Sequence, residues 1–176
     1  AATAVGDVDS DGDQDLAAVE WGVDRITVYL NFGGQYRVQP SDHAPAYLPD
    51  SSAAAVIRFS VTSAGRAGDP DFELRVVWLV LVDGTGAYVS QAQAEAIFAG
   101  VQVWHDANGS GFFESWEDLM LVEAPLWMPG LPGFLVVGVP AGGGNPPIAG
   151  HAGSETYFAV FETTADATAH LPDAFQ

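Results

Sequence analysis

The chain has 176 residues, 48% of them apolar, which is enough for one hydrophobic core and a smaller module and too apolar for a disordered chain. Twenty-three acids against five bases, all Arg (Arg25, Arg37, Arg58, Arg66, Arg75), give a net charge of −18, which repels phosphate backbones and anionic bilayers and so excludes nucleic acid as a partner. Cys is absent, leaving metal as the available cross-link, and no apolar stretch reaches the roughly 18 residues needed for insertion into a membrane.

In chain order the first feature is Asp7, Asp9, Asp11, Asp13 and Asp15, alternating around Gly12. Like charges this close call for a counter-ion. Ca²⁺ takes six to eight oxygen ligands at about 2.3–2.6 Å, and acids at every second position supply them from one short segment. Gly12 allows the sharp turn such a loop needs. A solvated acidic tail is the alternative, but its spacing is usually irregular, whereas this segment runs directly into the strand-like Leu16–Trp21.

Gly6-Asp-Val-Asp-Ser-Asp-Gly-Asp-Gln-Asp-Leu-Ala-Ala-Val19, followed by Ile26-Thr-Val-Tyr-Leu-Asn-Phe-Gly-Gly34, resembles an FG-GAP (VCBS-type) repeat, the calcium-loop blade motif of integrin-like propellers and of bacterial surface proteins. The resemblance covers residues 3–38. It implies a loop between two strands of a blade, with Asp7, Asp9, Asp11 and Asp15 as ligands and the Asp13 carbonyl as a backbone ligand. The loop half-matches an EF-hand, but the twelfth position is Ala18, where a bidentate Glu is required, so the β-hairpin version is expected.

Residues 39–52 carry three prolines and no periodicity and read as a linker. From Ala53 onward the pattern is β. Val56–Thr62 alternates as a half-buried strand, Gly65–Asp71 is turn chemistry, and Phe72–Val82 reads as a long buried strand closed by an Asp83-Gly84 turn. Trp78 in that strand is expected in the core. One helix of about ten residues is predicted, with Ser90 and Gln93 as a capping box and Gly100 as a left-handed C-cap. Strands follow at Val101–His105, Leu119–Glu123, Phe134–Val139 and Thr156–Glu162. The expectation is a mostly β chain: a partial propeller-blade-like piece over 1–38, a linker over 39–52, and a β-sandwich with one short helix over 53–176.

A second acidic loop spans Asp106–Asp118. Read as an EF-hand-type loop, Asp106 is position 1, Asn108 position 3, Ser110 position 5, Phe112 the carbonyl at 7, Glu114 position 9 and Glu117 position 12. The flanks look like strands, so a calcium-type loop between two strands is expected, with Asp118 competing with Glu117 as closing ligand. A metal-free polar hairpin is the alternative. Asn108-Gly-Ser110 is also a glycosylation sequon; the ligand role is favoured, because one amide does not readily serve both.

Residues 51–176 resemble a domain found beside FG-GAP repeats in large secreted bacterial proteins, through Asp50–Val56, Gly65–Leu74, Ser90–Ala94, the Asp106–Asp118 loop, Tyr157–Phe161 and Thr164–Thr168. That resemblance implies an exported, non-enzymatic surface module and one further strand after Phe175. The chain begins with Ala and has no signal h-region, so it is expected to be a piece of a longer precursor. A lone blade and a sandwich short of a strand leave open β edges that template association. The expected function is therefore an extracellular or cell-surface, calcium-binding subunit of a homopolymeric filament assembled head-to-tail by strand complementation. The alternative is a monomeric adhesin or carbohydrate-binding module of a larger surface protein, with glycans as partners and Trp116 and Trp127 as stacking faces. Catalysis is not expected: His43, His105, His151 and His170 are scattered, no G-x-S-x-G frames a serine, and Gly142-Gly-Gly-Asn145 lacks the Lys-Ser/Thr of a phosphate loop.

Overall fold

The computed structural model describes residues 2–6, 15–20, 25–29, 36–83, 85–126 and 132–170. The protein is mostly β, with one short α-helix, as its strand-length apolar runs predict. Three strands, β1 (Ala2–Gly6), β2 (Asp15–Glu20) and β3 (Arg25–Tyr29), form an antiparallel sheet in the order β1-β2-β3. Its register sets Gly6 opposite Asp15 and Glu20 opposite Arg25. Asp7, Asp9, Asp11 and Asp13 lie outside the described residues, and Asp15 opens β2.

A five-stranded sheet follows. It contains β4 (Tyr36–Asp42), β5 (Ala53–Ser63), β7 (Phe98–His105), β8 (Leu119–Ala124) and β10 (Ser154–Thr163), in the order β4-β5-β10-β7-β8. β6 (Val76–Val80) and β9 (Phe134–Gly138) pair separately and antiparallel. By compactness the chain divides into two units. One comprises Ala1–Val38, Val61–Phe72 and Ile148–Ser154; the other comprises Gln39–Ser60, Glu73–Pro147 and Glu155–Gln176. Residues 39–42, expected in the linker, belong to β4. Pro40 lacks an N–H, and an edge strand is where a sheet tolerates that loss.

The core is centred on β10. Tyr157, Phe158, Ala159, Val160 and Phe161 are all buried, because the third strand of five is covered on both faces and so reads as a continuous apolar run. Phe59 stacks on Tyr157 with ring centroids 5.5 Å apart, and Phe98 meets Phe161 at 4.9 Å. On the opposite side of the strand, Phe158 meets Phe113 at 5.7 Å and His43 at 5.6 Å. Each fully buried aromatic of this kind contributes about 1.5–3 kcal/mol by removal from water.

The sheet of β6 and β9 corrects the expectation for Trp78. Val77, Leu79, Leu135 and Val137 form its buried face, whereas Val76, Trp78 and Val80 project outward, Trp78 with 61% of its surface exposed. In Val-Val-Trp-Leu-Val every position is apolar, so sequence alternation carries no information on which parity faces in. The Asp83 turn forms as expected: its carboxylate accepts from Thr85 N, Thr85 Oγ1 and Ala87 N, and Val82 pairs with Tyr88 beyond it.

The helix α1 (Gln91–Ile97) starts as its sequence dictates. Ser90 Oγ accepts from Gln93 N–H, and Gln93 Oε1 accepts from Ser90 N–H at 3.0 Å. It ends differently. Phe98, in extended conformation, is the C-cap and passes directly into β7, while Gly100 lies within that strand rather than at a left-handed terminus. Ala94 and Ile97 anchor the helix and are buried. Replacing Ser90 with Ala removes the hydroxyl that accepts from Gln93 N–H, while the residue-90 N–H can still donate to Gln93, and is expected to cost about 1 kcal/mol, read as a lower urea midpoint with unchanged slope.

Candidate calcium loop

The loop between β7 and β8 contains the seven residues the sequence singles out, and the structure brings them together. At its base Asp106 continues β7, its N–H donating to the Thr156 carbonyl of β10 at 2.9 Å. Its buried carboxylate accepts from Ser110 N–H at 3.1 Å and from Gly111 N–H at 2.9 Å, so the chain wraps around this side chain. The wrap depends on Gly109 and Gly111, with φ of +69° and +74°, a region that L-residues with a side chain reach only at a cost of roughly 1–2 kcal/mol.

Asn108 is the hub. Its Oδ1 accepts from Ser110 N–H at 2.8 Å, and its Nδ2 donates to Glu114 Oε2 at 2.9 Å and Glu117 Oε2 at 2.7 Å. Two carboxylates thus converge on one neutral amide. Ser110 Oγ reaches the Phe112 carbonyl at 3.1 Å and Glu114 Oε2 at 3.3 Å. A helical turn from Glu114 to Asp118, closed by Glu117 N–H and Asp118 N–H on the Glu114 carbonyl, carries Glu117 back toward Asn108. Phe112 enters through its carbonyl, while its ring is exposed.

Asp118 closes the loop from within. Its Oδ2 accepts from Glu114 N–H at 2.7 Å, and its Oδ1 is buried with no partner. Burial pushes the Asp118 carboxyl above the ordinary carboxylate range, and the Asp106 and Glu114 charges push the same way, against the pull of the Glu114 and Ala107 N–H groups. Among the described residues no group of three or more His, Cys, Asp or Glu side chains is arranged to hold a metal ion. The convergent set here is mixed instead, carboxylates with a hydroxyl and a carbonyl around an amide that turns its Nδ2 to Glu114 and Glu117; with that amide rotated to present Oδ1, this is the donor chemistry that Ca²⁺ accepts and softer metals do not. The residues fit such an ion on two grounds. The orphaned Asp118 oxygen lacks a positive partner, and Glu114 and Glu117 share only an amide dipole where a cation would supply charge.

Sequence reasoning missed what holds the loop to the sheet. Arg58 of β5 donates from Nη1 to the Gly111 carbonyl at 3.1 Å, and a Cβ on Gly111 would stand 2.9 Å from that nitrogen. Phe113 inserts behind the loop, edge-on to Trp104 at 5.3 Å and against Phe158. The available signal was the pairing of an apolar Phe113 with an exposed Phe112 inside a polar segment, one side chain facing each way. No family model, no curated protein and no solved structure matches this chain.

Proposed function

We propose that this chain is a calcium-binding, non-enzymatic structural protein of an extracellular or cell-surface assembly, in which bound ions fasten a β scaffold that has no disulfide. The observation that carries the reading is the convergence of Glu114 and Glu117 on the Asn108 amide, beside the orphaned, buried Asp118 oxygen. In this reading Asp106, Asn108, Ser110, the Phe112 carbonyl, Glu114 and Glu117 hold Ca²⁺, and Asp118 closes the site or orders its closing turn. Bound Ca²⁺ supplies the positive charge that offsets the loop's acids. Arg58 and Phe113 hold the loop on the sheet.

The FG-GAP-type reading of Asp7–Asp15 provides a second calcium loop. Its support is that the strands before and after these acids in the sequence, β1 and β2, pair antiparallel with Gly6 opposite Asp15. Head-to-tail assembly by strand complementation is supported by the edges of the five-stranded sheet: β4 and β8 each have one neighbour in its order. Negative-stain electron microscopy in Ca²⁺ and then in excess EGTA tests this function. The expected result is filaments that fray or dissolve on chelation; dispersed single particles in both conditions contradict it. The exposure of Trp116, 76% of its surface within the acidic loop, favours the second reading, a calcium-stabilised adhesin or carbohydrate-binding module. Single particles that bind a glycan array only with Ca²⁺ would establish that reading instead.

A further inference from the structure

We propose that the outer face of the β6–β9 sheet is a contact surface for a second copy of this chain. The register places Val76 opposite Gly138, Trp78 opposite Val136 and Val80 opposite Phe134. Residues directly opposite in an antiparallel pair share a face, so these six positions form one surface. The pairing of Val82 with Tyr88 extends it, and the Tyr88 ring lies 5.6 Å from that of Phe134. Val76, Trp78, Val80 and Tyr88 are exposed by 46%, 61%, 48% and 58%, although the other face of the same two strands is buried. Both faces of this small sheet therefore have the composition of an interior. An antiparallel sheet that meets water on its second face ordinarily alternates apolar with polar residues, and β6 does not.

The chemistry of the face selects its occupant. It has no charged side chain, on a chain with a net charge of −18. Two copies repel where their acids meet, so a charge-free surface is where a face-to-face contact between copies costs least. A saccharide site couples a ring to nearby side-chain hydrogen-bond groups, whereas Trp78 is flanked by Val76, Val80 and Val136. Aliphatic and aromatic side chains on a sheet are what another sheet packs against, at about 10 Å between backbones. The face presents roughly 500 Å², at the upper range of incidental patches on monomers. Two such faces in an isologous contact bury about 1,000 Å² in total, the lower limit for a specific interface. The proposal stands apart from the calcium reading, because no residue of the face belongs to the Asp106–Asp118 loop.

Sedimentation velocity of the full chain across a concentration series, in Ca²⁺ and in EGTA, tests it. The expected result is a reversible, concentration-dependent dimer in EGTA, where calcium-dependent filaments are dissolved, weakened at least about thirtyfold by Trp78→Glu. Because Trp78 is exposed, the variant is expected to keep the wild-type melting temperature. Should that charge disturb folding, the double variant V76T/V80T keeps β-branched side chains on the strand and is expected to weaken the dimer likewise. A wild-type chain that stays monomeric throughout overturns the proposal, whether or not oligosaccharides then quench its Trp fluorescence. A dimer that persists undiminished in a folded face variant overturns it too.

Discussion

Asp106→Ala is expected to abolish the calcium-dependent stability contributed by the second acidic loop. For a single site, free Ca²⁺ at about 100 times its Kd adds about 2.7 kcal/mol to the wild type, and a variant that cannot close the loop loses that increment. The loss has two physical parts. Asp106 is the first ion ligand in the proposed site, and it is also the acceptor around which Ser110 and Gly111 fold. Without it both N–H groups turn to water, and the variant is expected to be about 1 kcal/mol less stable even in EGTA. Urea unfolding of both proteins with and without Ca²⁺ separates the parts: the EGTA difference reports the loop hydrogen bonds, and the extra difference in Ca²⁺ reports the ion. Equal calcium increments in the two proteins would remove Asp106 from the site.

Phe158→Ala is expected to give the largest destabilisation of any single truncation discussed, about 3–5 kcal/mol. Phe158 is wholly buried on the central strand, and its ring meets both His43 and Phe113. Truncation leaves a cavity that a close-packed sheet fills only in part. Because Phe113 rests on that ring, the back of the acidic loop loses its support, and calcium affinity is expected to fall together with stability. Phe112→Ala is the contrast. Its neighbouring ring is 68% exposed, so its removal is expected to change stability by no more than about 0.5 kcal/mol. Urea midpoints for the two variants, compared with wild type, check the ranking; similar midpoints would contradict the assignment of Phe158 to the core.

The parts of this fold that were legible in sequence are those written in local chemistry. Ser90 and Gln93 announce the start of α1 because both halves of the capping box lie within four residues. The run Thr156–Glu162 announces a strand, and the oxygen-bearing side chains from Asp106 to Glu117 announce a loop between two strands. What was not legible depends on distant partners. Gly100 has the sequence position of a C-cap, yet it is drawn into β7, where Glu162 of β10 stands opposite it. Trp78 is outward-facing because Leu79 and Val77 take the interior, a choice an all-apolar pentapeptide cannot express. Arg58 reads as an ordinary polar position of a half-buried strand, and its hold on the Gly111 carbonyl appears only once two segments 53 residues apart are folded together.

Isothermal titration of Ca²⁺ into the metal-stripped wild type and into Glu117→Gln tests the central claim most directly. Glu117 sits at the exposed rim of the loop, so the substitution changes ligand charge with little effect on folding. The expected result is a saturable site in the wild type that is lost, or weakened at least about tenfold, in the variant, while any binding by the Asp7–Asp15 segment stays the same in both. Identical stoichiometry and affinity in the two proteins would contradict a calcium site between β7 and β8.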